Sequence, residues 1–135
     1  MTESDVPALA AVYRLAYGAD SVTPEAAATE MESAFDGTWG LLWGDASPVA
    51  LVDDELVAAV QTVRRPSWDG APGCPWVIEV FTDPRHRRQG FAGALLGAVS
   101  RALRSAGEPR VGLTVDDQNA SALRLYQLLG FTPSS

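Results

Sequence analysis

The sequence predicts an α/β domain in which helices flank a mixed β-sheet, a class called α+β in some schemes. Three observations lead to this prediction. Two helical repeats of apolar residues come first, a pair of β-rich runs follows, and strand–helix–strand units fill the second half. Alternation of this kind indicates a sheet with both parallel and antiparallel pairs. At 135 residues, the chain is expected to form a single domain over residues 1–135.

The first half of the chain is predicted to hold two helices and a hairpin. Residues 5–17 place their apolar side chains on one helical stripe, in which Val12 or Tyr13 and Ala16 or Tyr17 are alternative members, and Asp5 is the expected N-cap. A second helix is expected to begin at the cap residue Thr23 and to stop near Gly37. The runs SPVALV and ELVAAVQTVRR are then joined by two aspartates, which predicts an antiparallel hairpin.

The second half of the chain is predicted to alternate strands and helices. The run WVIEVFT (76–82) is dense in β-branched and aromatic residues, as is typical of a buried central strand. A helix over 90–106 follows, with Gly107 as its C-terminal cap. VGLTV (111–115) is a further strand, and a last helix is expected over 119–129.

Composition and charge narrow the possible partners. The net charge is −7, yet residues 1–60 hold eleven acidic residues and one arginine (net −10), whereas residues 61–135 are net +3. An acidic body argues against nucleic-acid binding, and no apolar run is long enough to cross a membrane. Cys74 is the only cysteine, so a reducing, cytoplasmic location is expected. A small basic focus on such a chain suits a compact polyanion.

That basic focus is the stretch RHRRQGFAGALL (85–96), which runs into the start of a predicted helix. A helix N-terminus presents unpaired N–H groups and the positive end of the helix dipole, which together favour an anion. Gly90 lets the backbone approach a ligand, and Arg87 and Arg88 can bind phosphate oxygens. The stretch therefore predicts a diphosphate site. His86 is expected to be a solvated loop residue.

Two segments then resemble a known family. VFTDPRHRRQGFAGALL resembles motif A of the GNAT superfamily of acyl-CoA-dependent N-acyltransferases, because Arg87, Gly90 and Ala92 fill the pattern [QR]-x-x-G-x-[GA]. GLTVDDQNASALRLYQLLGF resembles motif B of the same family. The resemblance implies a GNAT-like mixed sheet, and acetyl-CoA as co-substrate with no metal. The family's usual first and last strands have no counterpart in this sequence, which indicates either a shortened sheet or a trimmed chain. A homodimer that covers the exposed sheet edge is one expectation that follows.

The resemblance also implies which residues bind coenzyme A. The pyrophosphate is expected at the start of the helix, and the pantetheine arm is expected along the backbone of the preceding strand. The residues implied are Val80, Phe81, Thr82, Arg87, Arg88, Gln89, Gly90, Phe91, Ala92 and Gly93. Asn119 is implied as a further pantetheine contact, and Tyr126 is implied to lie near the thioester sulfur. These two residues are seven positions apart, so they share one helix face, about 10 Å apart along the axis.

The catalytic residues are assigned as hypotheses. Tyr126 can protonate the departing thiolate, since its phenol carries a proton at neutral pH. Glu79 is the only acid in the central strand and is the candidate general base, with a role as strand-end wall or ammonium anchor left open. Some family members carry an acid where Thr114 stands, which keeps the identity of the base open.

The sequence therefore predicts an N-acetyltransferase that moves an acetyl group from acetyl-CoA to a primary amine by direct attack in a ternary complex. The acceptor is expected to be a small-molecule amine or a peptide N-terminus. The alternative is a non-catalytic acyl-CoA-binding sensor or scaffold, which needs no base. Four tryptophans, Trp68 foremost, are candidates for an acceptor pocket, although packing in the core or at its rim is the alternative.

Overall fold

The computed structural model describes residues 1–114 together with Tyr126 and Gly130. These residues form a mixed sheet with helices on both faces, which confirms the predicted class. The elements are α1 (Val6–Tyr17), α2 (Pro24–Ser33), β1 (Gly40–Leu42), β2 (Val49–Val52), β3 (Glu55–Pro66), β4 (Trp76–Thr82), α3 (Phe91–Ser105) and β5 (Gly112–Leu113). None of the helices in these described ranges is long and apolar enough to cross a membrane.

The two N-terminal helices begin as the sequence predicts, with one difference. The Thr23 hydroxyl accepts a hydrogen bond from the backbone N–H of Ala26 at 3.1 Å, so Thr23 caps α2. Asp5 precedes α1 but does not cap it through its side chain. Its carboxylate accepts instead from the backbone N–H of Thr2 at 2.7 Å, which closes the short turn before α1.

The predicted hairpin is formed by β2 and β3, which pair antiparallel from Val49↔Ala59 to Val52↔Glu55. Asp53 and Asp54 both have positive φ, at 51° and 66°. Two consecutive residues in this region make the tight turn that suits the right-handed twist of paired strands. Aspartate tolerates this conformation better than most side chains.

The long strand β3 organises the sheet, whose order is β1-β3-β4-β5 with β2 also paired to β3. β3 pairs antiparallel with β1, β2 and β4, while β4 pairs parallel with β5. The central position of β4 agrees with the prediction. The three-residue β1 was not predicted, because a segment this short has no periodicity of its own and depends on its pairing with β3.

Each face of the sheet carries its own core. One core packs α3 against the sheet around Val60, Leu96 and Val99, and the other packs α1 and α2 against it around Leu9, Met31 and Phe81. α3 ends as predicted near Gly107, which has φ 80°. The backbone N–H groups of Gly107 and Glu108 donate to the carbonyls of Arg104 and Leu103, an arrangement that satisfies the end of the helix.

The C-terminal predictions are tested only in part. Of the strand expected over 111–115, the structure shows Gly112–Leu113 as β5, and Val115 lies outside the described residues. The helix expected over 119–129 also lies outside them, Asn119 included, apart from Tyr126, which is helical.

Candidate active site

A β-bulge in β4 sets the direction of Glu79. Gln61 of β3 pairs with Glu79, whereas the next residue, Thr62, pairs with Val77, so Ile78 is the extra residue of the bulge. The extra residue reverses the alternation of side chains along the strand. Val77 and Val80 consequently pack on the α3 side, while Phe81 packs on the α1 and α2 side together with the neighbours of Glu79.

Glu79 is surrounded by polar groups from both N-terminal helices. The Tyr17 hydroxyl donates to Oε2 of Glu79 at 3.4 Å, and Glu30 of α2 lies beside the same carboxyl. Burial and then the Glu30 carboxylate raise the pKa of Glu79 to about 7, although the Tyr17 hydroxyl lowers it. A carboxyl with this pKa can gain or lose a proton near neutral pH.

Two tyrosines on successive turns of α1 complete this group. The rings of Tyr13 and Tyr17 lie 4.7 Å apart, and Tyr13 packs edge-on against Phe81 at 5.7 Å. Burial, followed by the Glu79 carboxylate, raises the pKa of Tyr13 to about 12 and raises that of Tyr17 as well. Both phenols therefore keep their protons at neutral pH and can only donate towards the carboxylates.

The described pairing of β4 with β5 ends at the bulge. Their parallel pairing covers Trp76↔Gly112 and Val77↔Leu113 and goes no further among the described residues. Within the described part of the chain, the edge of β4 that faces away from β3 has no strand partner from Ile78 to Thr82. The side chains of Val80 and Phe81 are packed into the two cores, so the backbone of this segment is the part left for a ligand.

The loop between β4 and α3 is a compact structure with its own hydrogen bonds. Asp83 is buried, and its Oδ2 forms an ion pair with Nη2 of Arg85 at 2.7 Å. The charge of Arg85 is therefore used to stabilise the loop. Nη2 of Arg87 donates to the carbonyl of Ala16 at 2.8 Å, in the last turn of α1. His86 packs edge-on against Phe91 at 6.1 Å and is half-buried, so the expected solvated position of this residue is wrong.

The start of α3 leaves a row of backbone donors open. The first hydrogen bond of the helix runs from Ala94 N–H to the carbonyl of Gly90 at 3.0 Å. The N–H groups from Arg88 to Gly93 have no acceptor among the described residues. Gly90 has φ 83°, and a Cβ there would meet nothing within 4 Å, so the backbone is open to an incoming ligand. Arg88, at φ 65°, is exposed on the same turn.

Tyr126 lies on the α3 side of the sheet, where it packs against the core that contains Leu96 and Val99. Burial raises the pKa of its phenol above the ordinary value of 10.0. Tyr126 also contributes to the raised pKa of Tyr17, so the two phenols lie within electrostatic range of each other. The structure thus brings Tyr126 to the same region as the Glu79 group, where it keeps its proton.

Three tryptophans form a cleft at the point where the described pairing of β4 and β5 ends. We call this feature, with a volume of about 190 Å³, the tryptophan cleft. Its walls include Glu30, Trp39, Trp68, Trp76, Ile78 and Thr114. Trp43, by contrast, is buried in the α3-side core with the Arg64 guanidinium 4.0 Å above its ring.

Comparison with known proteins identifies the family. A family model described as the acetyltransferase (GNAT) family matches residues 9–131. The chain belongs to the GNAT acetyltransferase family. Mycothiol acetyltransferase from Brachybacterium faecium is 37% identical over 94 residues, which are 68% of this chain and 28% of that protein. The mycothiol acetyltransferase of Thermobispora bispora is 45% identical over 64 residues, 47% of this chain and 21% of that protein. The chain therefore spans less than a third of the length of these two relatives.

Solved structures of GNAT proteins share the fold. An aminoglycoside N-acetyltransferase in complex with CoA gives a TM-score of 0.73 at 18% identity, covering 100% of this chain and 86% of that one. The ribosomal-protein-S18-alanine N-acetyltransferase from Escherichia coli gives 0.73 at 22% identity, covering 100% and 76%. At these identities the likeness establishes the GNAT fold and not the acceptor.

Sequence reasoning missed Tyr17 and Glu30 as members of this GNAT site. Tyr17 was an alternative member of the apolar stripe of α1, yet 51% of it is exposed and its hydroxyl reaches β4. Glu30 sits among other acids of α2, so nothing in its local sequence sets it apart. A tyrosine in place of an aliphatic residue at the end of the stripe was the one available signal.

Proposed function

We propose that this protein transfers an acetyl group from acetyl-CoA to a primary amine. The observation that carries the proposal is the open N-terminus of α3, directly after a β4 edge that has no strand partner among the described residues. An extended ligand can lie along β4 while its anionic end reaches α3. Family membership, through the match over residues 9–131, supports the same reaction.

The residues present fit acetyl-CoA. The open N–H groups from Arg88 to Gly93 and the open space at Gly90 suit a pyrophosphate, and Arg88 adds an exposed positive charge. The unpartnered edge of β4 at Val80, Phe81 and Thr82 suits the amide-bearing pantetheine arm. When bound, the co-substrate supplies an activated acetyl thioester. Asn119, implied as a pantetheine contact, lies outside the described residues and stays a prediction.

Arg87 has two roles in this proposal. Its guanidinium holds the carbonyl of Ala16, and the remaining N–H groups and the positive charge stay at the loop. We call the loop between β4 and α3 the phosphate loop. The contact joins this loop to the same end of α1 that carries Tyr17. The loop proposed to bind the pyrophosphate therefore also holds the end of α1 beside Glu79.

Glu79 and Tyr126 divide the proton transfers between them. The amine arrives as an ammonium ion at neutral pH, and Glu79 accepts the proton that it must lose before attack, directly or through one water. The amine nitrogen then forms a bond to the acetyl carbon as the carbon–sulfur bond breaks. The thiolate that leaves takes its proton from Tyr126, whose raised pKa keeps the phenol protonated until it is needed. The second proton, which the nitrogen loses as the amide forms, returns to the Tyr126 oxygen and restores the phenol. Direct attack needs no enzyme nucleophile.

The acceptor is proposed to be a small-molecule amine or a peptide N-terminus, and the site of action a reducing cytoplasm. The acidic surroundings of the site favour a cationic acceptor, because Glu30 and Glu79 both face the place where the amine arrives.

Calorimetric titration with acetyl-CoA tests the proposal. We expect saturable binding by the native protein and at least a tenfold weaker affinity in the Arg87→Ala/Arg88→Ala variant. The matched control is Arg101→Ala/Arg104→Ala, which removes two exposed charges from α3 away from its N-terminus and is expected to bind normally. Thermal unfolding of both variants checks that they fold. A folded native protein that does not bind acetyl-CoA overturns the proposal, and binding without amine-dependent turnover favours the non-catalytic acyl-CoA module.

A further inference from the structure

The tryptophan cleft has a position that links it to the reaction. The last paired residues of β4 and β5 in the described part of the chain are Val77 and Leu113, and the next residues along, Ile78 and Thr114, line the cleft. Glu30 lines it too and lies beside the Glu79 carboxyl. A molecule in the cleft therefore sits where the described pairing ends, close to the proposed base.

The tryptophans are held in place yet remain exposed. The Trp68 ring lies 6.4 Å from Trp39 and 6.1 Å from Trp76, with interplanar angles of 71° and 85°. Trp39 and Trp68 expose 36% and 37% of their surface. Ring packing for stability alone tends to bury such large apolar groups, whereas a set of exposed indole faces is typical of a binding site.

Three contacts position these rings. Gly112 of β5 has no room for a Cβ, because the Trp76 indole packs directly on it. Ser67 donates through its N–H to the carbonyl of Trp39 at 3.1 Å and through its hydroxyl to the carbonyl of Thr38 at 2.7 Å. The loop that carries Trp68 is thus tied to the segment that carries Trp39, and the cleft is largely preformed.

The charge of the cleft decides its occupant. Glu30 makes no ion pair with any residue in the described part of the chain. Indole faces attract organic cations more strongly than other aromatic rings do, and a neighbouring carboxylate adds to the attraction. An uncharged apolar group gains nothing from Glu30, and an anion is repelled by it.

We propose that the acceptor is a diamine: one amino group reacts beside Glu79 while the second, still cationic, is held by the tryptophan cleft and Glu30. This inference rests on the proposed function, since it names the class of amine that the acetyltransferase uses. It also gives Glu30, which makes no ion pair within the described part of the chain, a cationic partner in the second ammonium.

The larger cleft and the buried polar groups of the described residues support no comparable proposal. A larger cleft of about 330 Å³ is lined by Glu3, Val6, Glu32, Phe35 and Asp36, and it includes no residue of β4, α3 or the loop between them. Gln61 and Thr62 are fully buried, and one side-chain oxygen of each has no hydrogen-bond partner among the described residues. Neither residue lines the larger cleft or the tryptophan cleft.

The test compares linear diamines of three to six carbons with monoamines of the same length as acceptors, with kcat/KM as the readout. We expect a preference of roughly tenfold or more for the best diamine over its monoamine, the size of one partly desolvated cation–aromatic contact. Trp68→Ala and Glu30→Gln are each expected to bring the diamine-to-monoamine ratio close to one. Leu51→Ala, which changes a 57% exposed side chain on β2, is expected to keep the native ratio.

A binding measurement without acetyl-CoA separates this inference from the proposed function. Diamine is expected to change the tryptophan fluorescence saturably in the native protein and not in Trp68→Ala. Equal kcat/KM for diamines and monoamines overturns the inference and leaves the acetyltransferase in place. The proposed function is overturned if the protein does not bind acetyl-CoA and turns over no amine. In that case the fluorescence titration still tests the cation site, and a missing response to diamine rejects it independently.

Discussion

The hydroxyl of Tyr17 donates a hydrogen bond to Oε2 of Glu79 at 3.4 Å and so links the last turn of α1 to the middle of β4. The preceding residue, Ala16, accepts a hydrogen bond from Arg87 in the loop before α3. One helix end therefore contacts both the proposed base and the proposed phosphate loop. The two functions of the site are joined through α1, and the predictions below test each of them.

Replacing Glu79 by glutamine should remove the proposed base and keep the shape of the side chain. The pKa of about 7 implies that the native kcat rises with pH through that value as Glu79 loses its proton. We expect Glu79→Gln to lower kcat by roughly 10²- to 10⁴-fold and to abolish this rise. The measurement is kcat against pH at saturating acetyl-CoA and amine. Glu32→Gln, an exposed neighbour on α2, serves as control, and a native profile in Glu79→Gln would remove Glu79 from the mechanism.

The same substitution should stabilise the fold. Since the pKa of Glu79 rises from its ordinary 4.5 to about 7, folding favours the protonated carboxyl. Its contribution is fully present below pH 4.5 and is lost as the pH rises through 7. We expect Glu79→Gln to raise the free energy of unfolding at pH 8 by roughly 1–3 kcal/mol and to change it little at pH 4. Urea unfolding at the two pH values measures this, and equal effects at both would contradict the burial argument.

Tyr126→Phe tests the proton donor. The variant keeps the ring that packs on the α3-side core and loses only the hydroxyl. We expect kcat to fall by roughly 10²-fold or more while the affinity for acetyl-CoA stays within about twofold of native. Steady-state kinetics and calorimetry give the two values. A variant with native kcat would show that the thiolate takes its proton from elsewhere.

Gly90→Ala tests the open helix N-terminus, with Gly107→Ala as a matched control. The two glycines precede and follow α3, have φ of 83° and 80°, and would each place a Cβ in open space. Both variants should lose about 1 kcal/mol of stability from the unfavourable backbone conformation. Only Gly90→Ala is expected to weaken acetyl-CoA binding, by at least tenfold, because its Cβ occupies the ligand's approach. Equal affinities in both variants would place the pyrophosphate elsewhere.

Features set by neighbouring residues were predictable from the sequence. The Thr23 cap, the two-aspartate turn and the glycine before α3 each depend on a few consecutive residues, and each prediction agrees with the structure. The bulge at Ile78 was not predictable, because it depends on how β4 aligns with β3. The approach of Tyr17 to Glu79, 62 positions apart, follows from that bulge, and a local pattern carries no signal of it.

The positions of the tryptophans are a second feature that the sequence did not predict. Their number in the chain suggested a pocket or a core, and the sequence left both open. The structure divides them. Trp43 packs in the core, whereas one cleft is lined by Trp39 just before β1, Trp68 in the loop after β3 and Trp76 at the start of β4. Which tryptophans share a cleft depends on these long-range contacts, so only the folded chain reveals it.

Amine-dependent release of free thiol from acetyl-CoA, followed together with the mass of the acetylated amine, tests the central claim most directly. The account predicts that thiol release requires an amine, matches the acetylated product mole for mole, and falls at least a hundredfold in both Glu79→Gln and Tyr126→Phe. Saturable binding of acetyl-CoA with no amine-dependent thiol release across diamines, monoamines and peptide N-termini would contradict it.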